Sequence, residues 1–162
     1  MNPYVLRQAE PRDVPAITGL IRELAEFEQL SHLAVLSADK LHPHLFGPKP
    51  VVEALVGELG AEVIAFALFF TNFSTFLAKP GLYLEDLYVQ PAHRGKGVGR
   101  SLLTRLAETA VSRDYGRFEW SVLDWNQQAI GFYEKMGARV MPEWRICRLD
   151  GQALASFGGR NE

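Results

Sequence analysis

Apolar residues along this chain fall into runs of two kinds. Some alternate in step with a strand, and others recur every three or four positions, as on one face of a helix. Tyr4 to Gln8 reads as a first strand, with Pro11 marking the turn after it. Ile17, Leu20, Ile21, Leu24 and Phe27 then line a helix that Asp13 can cap, with Pro15 just inside it and an end around Glu28 to Leu30. Ser37 can cap a shorter helix through Leu41 and Leu45, which Pro43 shortens or kinks and Gly47-Pro48 closes. Val51 to Gly57 and Val63 to Asn72 make a hairpin about Leu59-Gly60-Ala61-Glu62, and Phe73 to Gly81 reads as a loop. Leu82 to Val89 is the central strand. A helix comes next, from about Gly99 to Asp114, ended by Tyr115-Gly116, then a strand from Arg117 to Leu123. Asn126 to Met136 forms a final helix closed by Gly137, and Val140 with Ile146 to Leu149 gives the last strand material. A helix crossing between two strands implies a parallel pair within a mixed sheet, with helices free to cover both faces. The expected fold class is α/β.

The central strand and the loop after it carry the chemistry. Leu82, Tyr83, Leu84, Leu87, Tyr88 and Val89 suit a buried strand, yet Glu85 and Asp86 interrupt them, and a buried strand rarely holds unpaired carboxylates. Pro91 ends the strand, and Gly95, Gly97 and Gly99 stand at every second position before the amphipathic run Ser101 to Ala107. Strand, glycine loop and helix in this order make an anion site, because glycines let the backbone approach a ligand and the helix start offers N–H groups to it. Arg94 and Lys96 add positive charge, so a phosphate or pyrophosphate is the natural occupant. Two common phosphate loops are excluded: GxxxxGK[ST] is absent, and these glycines lack the GxGxxG spacing.

Composition narrows the class. The 162 residues suit a single domain with a real core, and 48% hydrophobic with 22% charged residues is ordinary for a globular protein. A net charge of −2 gives no basic field for nucleic acid. Val63 to Phe70, the longest apolar run, is too short to span a bilayer, and the N-terminal stretch has no signal-like apolar region. No membrane partner and a cytoplasmic setting are therefore expected. Cys147 is the only cysteine, which excludes an internal disulfide; it is expected to be buried in an apolar strand rather than to act as a nucleophile. His42 and His44 flank Pro43 and make a poor ligand set, so no metal is expected. The tail from Ser156 to Glu162 is expected to be disordered.

Arg94-x-x-Gly97-x-Gly99 after an acid-bearing strand resembles the acetyl-CoA loop of the GCN5-related N-acetyltransferases (GNAT). Three further blocks narrow the resemblance: Leu20 to Glu28, Tyr83-Leu84-Glu85-Asp86-Leu87-Tyr88-Val89, and Trp125-Asn126-Gln127-Gln128-Ala129-Ile130-Gly131-Phe132-Tyr133 with Gly137-Ala138 beyond it. Together they look like the spermidine/spermine (diamine) N-acetyltransferase branch, which includes thialysine acetyltransferases, over about residues 3 to 150. Phe76 stands where that branch has a tryptophan. The resemblance implies a GNAT-like mixed, mostly antiparallel sheet with a parallel pair around the cofactor and helices on both faces, as one domain over residues 1–155.

Site roles come from the resemblance position by position. Backbone at Leu87, Tyr88 and Val89 would pair with the pantetheine arm of acetyl-CoA as an added strand would. Arg94, Gly95, Lys96, Gly97, Val98, Gly99 and Arg100 would hold the pyrophosphate, and Asn126, Gln127, Gln128 and Ala129 would contact the cofactor near its thioester. Tyr133 would be the general acid. Phe27, Glu28, Glu85, Glu119, Trp120, Ser121 and Glu143 would line the side that takes the small-molecule amine. A homodimer is also implied.

The chemistry suits these residue types. An alkylamine with a pKa near ~10 arrives as an ammonium. Glu85 can attract it and take its proton, directly or through water. Asp86 points to the opposite side of the sheet if the strand is regular, which a β-bulge would change; structural pairing and substrate contact both remain open for it. The Tyr133 phenol can protonate the departing thiolate, whose thiol has an ordinary pKa near ~8.5. Asn126 can cap its helix as well as meet the cofactor. The leading expectation is acetyl transfer to a primary amine of a diamine or polyamine by direct attack. The alternatives are thialysine or another lysine-like amino acid as acceptor, or a non-catalytic acyl-CoA-binding regulator.

Overall fold

The computed structural model describes residues 3–159, and the chain divides into two compact units, one ending at Ser121 and the next beginning at Val122. The first unit is a five-stranded sheet in the order β1 (Tyr4–Gln8), β2 (Glu53–Leu59), β3 (Glu62–Ser74), β4 (Lys79–Val89), β5 (Phe118–Trp120). Every neighbouring pair is antiparallel except β4 and β5, which run parallel and are joined through α3 (Val98–Ser112). The expected mixed, mostly antiparallel sheet is present.

Helices α1 (Val14–Phe27) and α2 (Ala38–Phe46) cover one face. Val14, Ile17, Leu20 and Leu45 pack there against Ala54, Val56, Phe66, Leu68 and Tyr88, each under a tenth exposed. On α3, Val98, Leu102, Leu103, Leu106 and Ala110 are buried, and Gly57 and Gly99 lie against the other face through Val98, Leu87 and Val89. Burial of this kind, at ~25 cal/mol per Å² of apolar surface, holds both layers on the sheet.

Several elements differ from the sequence expectation. Asp13 does not cap α1: its carboxylate accepts from the Glu10 N–H at 2.7 Å and from Arg7 Nη1 and Nη2 at 2.7 and 2.9 Å. Only 4% exposed, it needs that bidentate arginine to stay ionised, and its pKa is accordingly held below the ordinary value. Ser37 does cap α2, accepting from the Lys40 N–H at 3.2 Å, and α2 runs past Pro43 to Phe46. The stretch Phe73 to Gly81 is mostly strand: β3 extends to Ser74 and β4 starts at Lys79, leaving a short tip.

Helix α3 ends without the help of Gly116. Asp114 takes the left-handed conformation (φ 57°), its N–H donates to Val111 and the Tyr115 N–H to Ala110. Helix α1 ends the same way on Gln29 (φ 61°), whose N–H donates to Glu26 while the Leu30 N–H donates to Ala25. A left-handed glutamine costs about 1 kcal/mol. Gln29→Gly should therefore raise the melting temperature by a few degrees, readable by calorimetry; an unchanged or lower value would show that this cap is not under strain.

The second unit holds α4 (Gln127–Lys135) and α5 (Gly151–Phe157). Gly137, at φ 97°, closes α4 as expected. Strand β5 is shorter than the expected Arg117–Leu123. No strand forms at Val140 or Ile146–Leu149, where the described backbone is irregular and exposed. A strand needs a partner ladder, and the regular elements of this unit are both helices. Cys147 is correspondingly exposed instead of buried in an apolar strand. The expected disordered tail begins inside α5 at Ser156, and its last residues, 160–162, lie outside the described residues.

Candidate active site

The site in the first unit is organised by one irregularity. Leu68 pairs with Asp86 and Phe69 with Leu84, so Glu85 is an extra residue with no counterpart on β3. This bulge resolves which way the two acids face. Asp86 shares the face of its partner Leu68 and of Tyr88, both in the core under α1 and α2, and is half-buried. Glu85, the inserted residue, is exposed.

Burial, then the charges of Glu85 and Glu28, raise the Asp86 pKa to about 6. Burial alone raises that of Glu28, the residue at the C-cap of α1. Asp86 thus lies within electrostatic reach of both Glu85 and Glu28, and Asp86 and Glu28 are partly withdrawn from water. A cationic group would relieve the mutual repulsion.

The bulge also opens an edge. Strand β5 pairs with β4 only over Leu82, Tyr83 and Leu84, stopping where the bulge begins. The Gln90 N–H donates to Ile64 at 3.0 Å, so by the alternation of an antiparallel ladder the Tyr88 backbone also points to β3. Leu87 and Val89 point their N–H and C=O groups the other way. An extended ligand laid on that edge would bond to Leu87 and Val89, and Tyr88 would contribute its ring to the core instead.

The edge leads into the glycine loop. Gly95 (φ 76°) and Gly97 (φ 83°) occupy left-handed conformations, and α3 starts at Gly97 without a side-chain cap. The first N–H groups of α3, at Val98, Gly99 and Arg100, are therefore presented to an anion. Gly99 has a different role: it is helical, and an added Cβ would lie 3.8 Å from Leu87 and Val89, an ordinary contact. Gly99→Ala should fold at least as stably as the parent, gaining up to ~1 kcal/mol of helix propensity, whereas Gly97→Ala should lose ~1–2 kcal/mol to its left-handed backbone. Chemical denaturation of both variants checks this, and equal losses would contradict it.

The remaining sequence candidates lie on β5, on the loop and helices beside the edge, and in the second unit. On β5, Glu119 pairs with Tyr83 and Ser121 donates to or accepts from the Tyr83 hydroxyl at 2.8 Å, while Trp120 between them takes the opposite face, its ring 4.8 Å from Phe118. Glu119 is engaged by Arg117 at 2.9 Å. Phe27 is on the last turn of α1, beside Glu28. Lys96 and Arg100 are exposed, and Arg100 borders a cleft between α3 and β1 with Tyr4, Ser101 and Arg105. In the second unit, the Asn126 side chain accepts from the Ala129 N–H at 3.2 Å and caps α4, which carries Gln127, Gln128 and half-buried Tyr133. Glu143 is exposed in a turn after Met141. Among the described residues no group of acids, histidines and cysteine is arranged for a metal, and no helix is long and apolar enough to cross a membrane.

Sequence reasoning missed one set altogether. Glu23 on α1 accepts from the Tyr88 hydroxyl at 3.3 Å and from Gln90 Nε2 at 3.2 Å, and Arg94 reaches back toward Phe27. No local signal joins positions so far apart in the chain.

An acid-bearing bulge, an open strand edge and an uncapped helix start thus follow one another along β4 and into α3. Residues 20–138 match the model of the acetyltransferase (GNAT) family, and this chain belongs to that family. It is 37% identical to L-ornithine N5-acetyltransferase NATA1 of Arabidopsis thaliana, over 96% of this chain and 88% of that protein. It is 36% identical to thialysine N-epsilon-acetyltransferase of Mus musculus, over 96% of this chain and 97% of the relative. Among solved structures, an integron cassette protein from the mobile metagenome of V. cholerae shares the fold with a TM-score of 0.82 at 23% identity, covering 98% of this chain and 99% of that one.

Proposed function

We propose that this protein transfers the acetyl group of acetyl-CoA to a terminal primary amine of a small molecule carrying a second ammonium group, by direct attack. The observation that supports this most strongly is the Glu85 bulge, which opens the Leu87 and Val89 edge toward the glycine loop and turns Asp86 toward Glu28. In this reading acetyl-CoA supplies the activated thioester. Leu87 and Val89 bond to its pantetheine arm. The N–H groups of Gly95 to Arg100 hold its pyrophosphate, with Lys96 adding charge, and the family resemblance gives Asn126 to Ala129 the contact near its thioester.

The acids do two jobs. Glu28 attracts the distal ammonium, and the family resemblance adds Glu119 and Glu143 to the amine side. Asp86 and Glu85 bind the reacting ammonium and take its proton, leaving a lone pair to attack the carbonyl. The new C–N bond forms as the C–S bond breaks, the Tyr133 phenol protonates the departing thiolate, and the second proton of the nitrogen passes through water to restore the phenol. No covalent enzyme intermediate is needed. A single domain over residues 1–155, a homodimer and a cytoplasmic setting complete the reading through the family resemblance.

A diamine or polyamine and a lysine-like amino acid share the two amines, and the amino acid adds a carboxylate. The names of the ornithine and thialysine relatives favour that second acceptor class. Steady-state kinetics with putrescine-like diamines against ornithine and thialysine separates them. A kcat/KM at least tenfold higher for the amino acids would assign the carboxylate a cationic partner, and the reverse order would favour diamines.

Acetyl-CoA binding is tested at Gly99. Gly99→Val adds two methyl groups to a Cβ that already meets the Leu87 and Val89 side chains at 3.8 Å, which pushes the first turn of α3 and its N–H groups off the strand, so affinity measured by calorimetry should fall by at least tenfold while far-ultraviolet circular dichroism stays native-like. Unchanged affinity in the folded variant would show that the loop does not hold the cofactor.

A further inference from the structure

Arg94 is exposed, yet its side chain is tethered to its neighbours rather than left as a free loop charge. Its Nε donates to the Val89 carbonyl at 2.9 Å. Its guanidinium lies over two rings, 5.2 Å from the centroid of Phe27 and 5.3 Å from that of Tyr88. Tyr88 and Gln90 in turn donate to Glu23 at 3.3 and 3.2 Å. Glu23 and Phe27 are one turn apart on α1 and share a face, so α1 grips the end of β4 and the start of the glycine loop at two successive points. The residue after Phe27 is Glu28, and the Gln29 cap fixes how the chain leaves the helix.

We infer that Arg94 is a positioning residue that couples the glycine loop to the end of α1, so that an occupant of the loop sets the place of Glu28 on the amine side. This rests on the acetyl-CoA reading of the loop given above. Three features of arginine are used at once: a planar cation for the two rings, an Nε–H for Val89, and a fixed angle between them. Lysine keeps the charge and loses the other two. If Arg94 served the pyrophosphate alone, lysine would substitute well and α1 would be indifferent to it.

The test is amide hydrogen exchange with and without acetyl-CoA, combined with calorimetric affinity. The Glu28, Gln29 and Leu30 amides donate to Leu24, Glu26 and Ala25 and report opening of the α1 end. In the unmodified protein, acetyl-CoA should slow exchange at these amides by roughly tenfold, as well as at Val98 to Ser101. In Arg94→Lys, acetyl-CoA should bind within about threefold of the parent and protect Val98 to Ser101, while the protection at Glu28 to Leu30 disappears. The KM for the amine should rise by roughly tenfold with a smaller change in kcat. Phe27→Leu, which leaves Arg94 and its charge in place, should show the same loss of remote protection, so the test survives if Arg94→Lys fails to fold. The double variant should be no worse than the more affected single one.

Several outcomes overturn the inference. Protection of Glu28 to Leu30 that persists in both variants removes the coupling, as does its absence from the unmodified protein. A loss of acetyl-CoA affinity of more than about tenfold in folded Arg94→Lys, with Phe27→Leu unaffected, makes Arg94 a direct pyrophosphate ligand instead. Failure of the unmodified protein to bind acetyl-CoA is a separate result, which overturns the proposed function itself.

Discussion

Tyr133→Phe is expected to lower kcat by ~10²–10⁴-fold while KM for acetyl-CoA stays within a few-fold. The substitution deletes one hydroxyl and almost no volume, so α4, capped by Asn126 and closed by Gly137, should keep its packing. Only the departure of the thiolate loses its proton donor. Such a loss falls on the transition state alone and appears in kcat and kcat/KM equally. Single-turnover acetylation isolates the step from product release. Full activity in the variant would make Tyr133 a structural aromatic and pass the proton to water; a loss confined to KM would make it a binding residue.

The second large effect belongs to Asp86. With its carboxyl raised to about 6 by burial, Glu85 and Glu28, Asp86 is protonated in mild acid and can neither bind an ammonium nor take a proton. The kcat/KM for the amine should therefore climb as pH rises through about 6. Glu85→Gln removes the second cause of the shift, so this limb should move to lower pH in the variant, together with a fall in kcat/KM that is steeper for diamines than for singly charged amines. Asp86→Asn should remove the limb and reduce kcat/KM by roughly 10²-fold or more.

Stability should move the opposite way. A carboxyl whose pKa is raised by folding is disfavoured in its ionised form in the native state. Its cost is absent below the unfolded pKa near ~3.9, grows as pH rises, and is complete above the folded value. Asp86→Asn should thus melt above the parent at pH 7 to 8, by an amount on the order of 1 kcal/mol, and show no advantage near pH 3.5. A gain of stability with a loss of activity is what a site built from repelling acids would give. A wild-type pH profile in both variants would leave Glu85 and Asp86 with structural roles only.

How far the sequence reveals this arrangement depends on the range of the interaction. Local signals hold at three helix ends, where Ser37 and Asn126 cap the helices they precede and Gly137 closes α4, and fail at Asp13, whose carboxylate is taken by Arg7. The glycine loop between strand and helix was legible for the same reason, since φ above zero at Gly95 and Gly97 is a property of those residues. The bulge was not, because it is a fact of register: only the pairing of Leu68 with Asp86 and Phe69 with Leu84 makes Glu85 the extra residue. Alternation alone therefore could not decide which acid is partly buried. Gly116 misled for a related reason. It looked like the end of α3, yet Asp114 supplies the left-handed turn, and an added Cβ at Gly116 would come within 2.9 Å of Leu77. Its smallness serves packing against the β3–β4 tip. The stretch Ile146 to Leu149 has strand-like composition, but composition cannot provide a neighbouring strand. Arg94 likewise read as a phosphate charge, since its ring partners Phe27 and Tyr88 come from a distant helix and from the strand core.

The most direct measurement is mass spectrometric detection of product after purified protein is incubated with acetyl-CoA and a panel of diamines, polyamines, ornithine, lysine and thialysine. Acetyl transfer by direct attack requires that at least one of these gain a single acetyl group, in step with release of free coenzyme A and with no acetylated protein accumulating. Tight binding of acetyl-CoA without acetylation of any amine in the panel would contradict it and leave a non-catalytic acyl-CoA-binding regulator in its place.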